Sequence, residues 1–422
     1  MSRPTTDDAH RAVELAARAS YGRLVAYLAR RSRDVAAAED ALGDAFVAAL
    51  ATWPRDGVPE KPEAWLLAAA RRRLVDAGRH LTVQARALPT LHAVVDEAQG
   101  AATSERAFPD ERLALLFVCA HPAIEEGMRT PLMPQTVLGL DAARIAAAFV
   151  VPAATMGQRL VRVKTKIRDA GIRFEVPEPH ELPLRLGSVL EAIYAAFGSG
   201  WDDVAGADTR RRGLAEEAIW LGRLVARLAP DEPEARGLLA LMLHCEARRG
   251  ARRDPGGGYV PLRQQDAATW SWPMIEEAER ILLDASRMGR PGRFQFEAAV
   301  QSAHAQHGIT GRTDWEAIVL LYDGLLRIAP TVGATVAHAA ALAEAEGAER
   351  GLAALDAVPV DATAGYQPFW ALRAHLLGRL RRVDEAAAAY ARAIGLAEDP
   401  AVRTFLVEKS ETLSRGAGRS VG

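Results

Sequence analysis

Apolar positions recur at intervals of three and four along most of this chain, broken by glycine and proline. That spacing marks amphipathic helices, each with one face to bury. In residues 7–80, Tyr21, Leu24, Val25 and Leu28 line one helix; Ala38, Ala41, Leu42, Ala45, Phe46 and Ala49 line a second. A loop is expected over residues 53–62, where three prolines and a glycine oppose regular structure. A third helix then runs to about Arg79, with Leu66, Ala70, Leu74 and Ala77 inward and Arg71, Arg72, Arg73 and Arg79 on its other faces. Residues 81–107 read as a linker. Residues 108–175 contain a short apolar helix, a turn closed by Pro152, and a second helix in which Met156, Leu160, Val163 and Ile167 face the core. The proline-dense stretch 176–183 marks the next boundary.

Residues 184–414 give helix after helix. Antiparallel pairs are expected at 216–228 with 235–248, at 315–328 with 332–346, and at 366–380 with 383–396. The last pair carries Gly378-Arg-Leu-Arg-Arg-Val-Asp-Glu-Ala-Ala-Ala-Ala-Tyr-Ala-Arg-Ala-Ile, close to the second-helix motif of tetratricopeptide repeats. One such pair cannot bury its apolar stripe alone, so stacking into a curved α-solenoid is the physical solution. An irregular helical bundle is the alternative. The insert Asp254-Pro-Gly-Gly-Gly-Tyr reads as a flexible loop.

Composition narrows the picture. At 422 residues and 49% apolar content the chain exceeds one ordinary core, so two or three domains are expected. Its wealth of Ala, Leu and Arg predicts an all-α fold. A net charge of −2 excludes a uniformly basic nucleic-acid coat, so any DNA affinity must come from local patches. Two cysteines, Cys119 and Cys245, fit a reducing compartment without a disulfide framework. With no apolar signal core and no membrane-length apolar run, a soluble cytoplasmic protein is expected.

The candidate chemistry lies in the helix after Pro152. Thr155, Gln158, Arg159 and Arg162 fall on successive turns of one face, and Lys164, Lys166 and Arg168 extend the charge, opposed only by Asp169. Helix, proline turn and basic helix together form a helix-turn-helix pattern, which makes duplex DNA the first partner to consider. Arg159 and Gln158 suit base edges, since Arg pairs with guanine and Gln with adenine. Lys164, Lys166 and Arg168 suit phosphates, which position without specifying. Elsewhere, His304 and His307 lack the partners of a zinc set, and Cys119 reads as a core thiol. No phosphate-binding loop, dinucleotide fingerprint or nucleophile elbow appears, so neither catalysis nor a metal or organic cofactor is expected.

Five segments taken together resemble a known family. They are Ala38-Glu-Asp-Ala-Leu-Gly-Asp-Ala-Phe; Pro62-Glu-Ala-Trp-Leu-Leu-Ala-Ala-Ala-Arg-Arg-Arg-Leu-Val-Asp-Ala; Asp110-Glu-Arg-Leu-Ala-Leu-Leu-Phe-Val-Cys-Ala-His-Pro-Ala; Val151-Pro-Ala-Ala-Thr-Met-Gly-Gln-Arg-Leu-Val-Arg-Val-Lys; and Asp231-Glu-Pro-Glu-Ala-Arg-Gly-Leu-Leu-Ala-Leu-Met-Leu. The chain resembles the extracytoplasmic-function sigma factors of bacterial RNA polymerase, in the subgroup with a tetratricopeptide-like C-terminal extension. The resemblance implies a sigma-2 domain whose Glu39, Asp40 and Asp44 dock on the clamp helices of the polymerase core. It implies that the 53–62 loop receives a flipped base of the −10 region and that Arg71, Arg72, Arg73 and Arg79 hold the strand backbone. Trp53 either stacks on a base or anchors the core. A sigma-4 domain would then place residues 154–168 in the major groove of the −35 element, with the two modules held apart by a tether. The C-terminal solenoid would be a regulatory or partner-binding part, standing in for a separate anti-sigma factor.

Three features depart from the family pattern. Pro131 and Pro134 fall inside an expected helix, which should break and restart near Pro134 because an interior proline costs about 3 kcal/mol. Arg144 stands where an acidic residue is usual, and Gly157 sits inside the basic helix. The rival reading is a protein-interaction scaffold carrying a degenerate sigma module.

Overall fold

The computed structural model describes residues 6–84, 111–148, 151–172, 174, 177–178, 180–201 and 213–418. These residues are helical, with no strand among them beyond a single bridge between Arg253 and Tyr259. The all-α expectation holds. The linker expected at 81–107 falls almost wholly outside the described residues. The chain divides into two compact units, Met1–Gly198 and Ser199–Gly422.

The first unit begins with α1 (Thr6–Ser32), α2 (Val35–Asp56) and α3 (Pro62–Gln84), which pack against one another. Asp34 caps α2, its carboxylate accepting from the Ala37 N–H at 3.1 Å. Leu24, Leu28, Leu42, Trp53 and Leu66 form the centre of this packing, none more than 1% exposed. The loop expected from Trp53 onward is shorter than the sequence suggests. Helix α2 continues through Pro54 to Asp56 and stops at Gly57, whose φ of 91° suits glycine. Pro54 removes one ladder bond in the last turns, while the buried Trp53 ring holds the turn in place.

Four further helices follow: α4 (Arg112–Cys119), α5 (Glu126–Leu138), α6 (Ala142–Ala148) and α7 (Ala153–Asp169). The break expected at Pro134 does not occur, and α5 runs unbroken through both prolines. Met128, Leu132, Met133 and Val137 are buried along it. Their burial, at roughly 1.5–3 kcal/mol each, offsets two prolines at about 3 kcal/mol each. Helices α4 and α5 lie on α1, and α7 lies on α2 and α5. The backbones of α1 and α5 come close at Gly22, where a Cβ would stand 1.8 Å from the carbonyl oxygen of Val137. The modules expected to be held apart by a tether are therefore packed into one unit. Helix α8 (Leu182–Trp201) follows, and the first unit ends at Gly198, within its last turn.

The second unit is a run of helices, each packed on the next or next-but-one in sequence: α9 (Leu214–Leu228), α10 (Pro233–Glu246), α11 (Trp272–Ser286), α12 (Arg293–Ala305), α13 (Trp315–Ile328), α14 (Val332–Ala345), α15 (Ala348–Asp356), α16 (Gln367–Arg379), α17 (Val383–Leu396) and α18 (Pro400–Gly418). The expected helix pairs end within two residues of those observed. Asp314 and Thr331 cap α13 and α14 through the Ala317 and Ala334 N–H groups.

The insert after Arg253 is a hydrogen-bonded turn rather than a flexible loop. The Asp254 carboxylate accepts from the Gly256 and Gly258 N–H groups, both at 2.8 Å, and the Val260 N–H reaches the Arg252 carbonyl at 3.0 Å. From this turn Arg253 pairs with Asp399, and Tyr259 meets Phe405 edge-on at 5.4 Å. Further along the same segment, Arg263 pairs with Glu344 of α14.

Candidate nucleic-acid interface

Helix α7 carries two distinct faces. Met156, Leu160, Val163 and Ile167 are buried, as their spacing requires. Gln158, Arg159, Arg162, Lys166 and Arg168 are exposed, and Thr155 is half-buried at the first turn. Arg159, Arg162 and Lys166 make no ion pair among the described residues. This leaves a row of cations free to meet phosphates. Helix α6 precedes α7 across the Pro152 turn and packs against it. The Arg144 side chain lies outside the described residues. Gly157 faces α6, where a Cβ would lie 3.9 Å from that of Ala142, an ordinary contact.

Lys164 departs from the expected phosphate role. It is buried against α2 and its ammonium donates to Glu39. Burial pushes the Glu39 carboxyl above its ordinary range, with Lys164 acting against that rise. Arg168 also turns toward α2, its guanidinium 3.8 Å from Asp34 and 3.1 Å from Asp169. The Tyr21 ring closes the same corner against Gly139, whose φ is 68°. Burial, with Glu39 and Asp40 nearby, drives its phenol pKa upward. Glu39, expected to dock on a partner, is instead occupied within the molecule.

Asp40 and Asp44 remain exposed on α2, and Asp44 lies 3.8 Å from the Arg73 guanidinium. One turn onward on the same face are Val47, 67% exposed, and Leu50, 41% exposed. The sequence reading missed these two. Val47 lies at i+7 from Asp40 and i+3 from Asp44, Leu50 lies at i+3 from Val47, and that register was the available signal. These two aliphatics and two carboxylates lie exposed along one stretch of α2.

The cationic set on α3 divides. Arg72 and Arg73 are exposed. Arg71 turns inward, donating to the Tyr27 hydroxyl with its guanidinium 4.9 Å from that ring. The Arg79 side chain lies outside the described residues. Trp53 fills the anchoring role of its two possible ones. Its ring is 1% exposed and meets Trp65 edge-on, centroids 5.5 Å apart, so neither face is open to a base.

Residues 17–83, which span α2 and most of α1 and α3, match the family model described as Sigma-70 region 2. A Rhizobium meliloti (strain 1021) protein named Uncharacterized protein R00370 is 38% identical over 384 residues, covering 90% of each chain. This chain belongs to the family of that Rhizobium protein, and its N-terminal domain is a sigma-70 region 2. Residues 185–286, which include α9, α10 and α11 and most of α8, match a family of unknown function. No solved structure matches the chain.

In region 2, then, α2 presents Asp40, Asp44, Val47 and Leu50 outward, and α3 presents Arg72 and Arg73. Factors of the sigma-70 family bind RNA polymerase core and promoter DNA. Among the described residues no group of three His, Cys, Asp or Glu gathers as a metal would require. No described helix is long and apolar enough to cross a membrane.

Proposed function

We propose that this protein is a promoter-recognition subunit of RNA polymerase of the extracytoplasmic-function type, and that it rests in a closed form. The observation carrying the proposal is the sigma-70 region 2 match at 17–83, which coincides with an outward surface of paired carboxylates and aliphatics. In this reading that surface meets core enzyme, while Arg72 and Arg73 follow the −10 strand by its phosphates. Helix α7 enters the major groove of the −35 element, with Gln158 and Arg159 toward base edges and Arg162 and Lys166 toward phosphates. The protein itself catalyses nothing. The helical array of the second unit serves regulation or partner binding. The Lys164–Glu39 pair supports the closed resting form, because it takes one group from the DNA-facing helix and one from the docking helix.

Run-off transcription with purified core enzyme tests this reading. Promoter-dependent product should appear only when the protein is added. Arg159→Glu should lose −35 preference, a base contact being worth about 1–3 kcal/mol. Product without sequence preference, or preference unaltered by the substitution, overturns the assignment. A second reading, an interaction scaffold with a degenerate sigma module, is favoured by the internal use of Glu39 and Lys164. It predicts no association with core enzyme in a pull-down, even after Lys164→Glu opens the pair.

A further inference from the structure

The exposed face of α7 is divided lengthwise. Ala154, Gln158, Val161 and Thr165 stand at i, i+4, i+7 and i+11, a single row along the helix. Arg159, Arg162 and Lys166 stand at i, i+3 and i+7 and form the row beside it. One row is cationic and the other carries no charge. Ala154 and Gln158 are exposed, and Thr165 is half-buried. Gly157, three residues from Ala154 and four from Val161, marks the flank of the uncharged row that turns toward Ala142 of α6.

Val161 stands out in this arrangement. It is 66% exposed, the one large apolar side chain left open among the described residues of α7. A lone exposed aliphatic is common on protein surfaces. What singles this one out is its place, in line with Gln158 and beside three cations that make no ion pair among the described residues. A cationic row next to an uncharged one matches the two components of a DNA major groove, phosphates along the edge and base edges on the floor. The apolar group displayed on that floor is the 5-methyl of thymine. Gln158 suits adenine. Val161 lies nearly one turn further on, about 4.5 Å along the helix axis, which is roughly one to two base steps.

We propose that Val161 reads the 5-methyl group of a thymine in the −35 element, one or two base pairs from the adenine met by Gln158, while Arg162 and Lys166 hold the neighbouring phosphates. This specificity rests on the reading of α7 as the −35 helix, and adds to it a contact made without charge or hydrogen bond.

Holoenzyme assembled from the full chain and polymerase core, presented with promoter duplexes randomised at −35, tests the proposal. The selected duplexes should carry a thymine whose enrichment falls when Val161→Ala is used. Replacing that thymine by uracil removes the methyl group and nothing else. The exchange should weaken binding by the parent protein about three- to fivefold, the value of burying one methyl, and should leave binding by Val161→Ala unchanged. The variant should melt with the parent, because so exposed a side chain supports no core. A −35 preference in which the uracil exchange costs parent and variant alike, or costs neither, overturns the role of Val161 and leaves α7 as the −35 helix. Absence of any −35 preference in the parent overturns both. A marked fall in the melting temperature of Val161→Ala would make Val161 a structural residue and also overturns the proposal.

Discussion

The pair between Lys164 and Glu39 sets the balance at the scale of single residues. Removing one partner strands a buried charge and costs about 3–5 kcal/mol, whereas replacing both with apolar groups is neutral or stabilising. Lys164→Met should therefore lower the stability of the first unit, and Lys164→Met with Glu39→Leu should recover it. Chemical denaturation followed by tryptophan fluorescence reads the difference, and an additive double variant would show that the two groups are not coupled. Gly157 offers a second case. Its surroundings leave room for a methyl group, so Gly157→Ala should stabilise α7 by roughly 0.5–1 kcal/mol, seen as a higher melting temperature. The buried stripe of α7 was legible from spacing alone. The burial of Lys164 was not: its partner lies 125 residues away, and a lysine on a basic helix reads as solvated until that neighbour is known.

At the scale of elements, α2 joins packing to the proposed docking surface. Its inner face holds Leu42, Ala45 and Trp53, and its outer face sets Val47 and Leu50 beside Asp40 and Asp44. Val47→Ser with Leu50→Ser should leave the helix intact, because neither side chain is in the core, yet weaken association with polymerase core. Surface plasmon resonance against immobilised core enzyme measures that loss, and unchanged binding would remove the aliphatics from the proposed interface. The sequence marked the position and type of α1, α2, α3 and α7 through their periodicity. It misjudged where α2 ends and whether α5 breaks, because local proline rules were outweighed by burial of Trp53 and of the Met128–Val137 side chains. The close seating of α4–α7 on α1 and α2 was hidden for a related reason. It rests on pairings such as Gly22 with Val137, which no local pattern encodes.

For the larger assembly of helices, acid is the informative perturbant. In the second unit His244 and His304 have pKa values near 4, below the ordinary 6.5. Unfolding lets each take up a proton that the folded state refuses. The unfolded chain therefore binds more protons between these values, and stability falls as pH drops from 6.5 toward 4. Urea midpoints at neutral pH and at about pH 5 should differ in that direction, and His304→Gln should flatten the dependence. A midpoint indifferent to pH in this window would mean that the rings are already solvated.

The turn after Arg253 bears on how this family can evolve. Helical arrays ordinarily lengthen by duplicating a pair, since each pair touches only its neighbours. Here a single surface segment grips α14 through Arg263 and the start of α18 through Arg253, far along the chain. An inserted pair would carry Asp399 out of reach and leave the Arg253 grip empty. Descendants of this gene should accordingly vary in side chains while keeping the number of helices between these two anchor points constant.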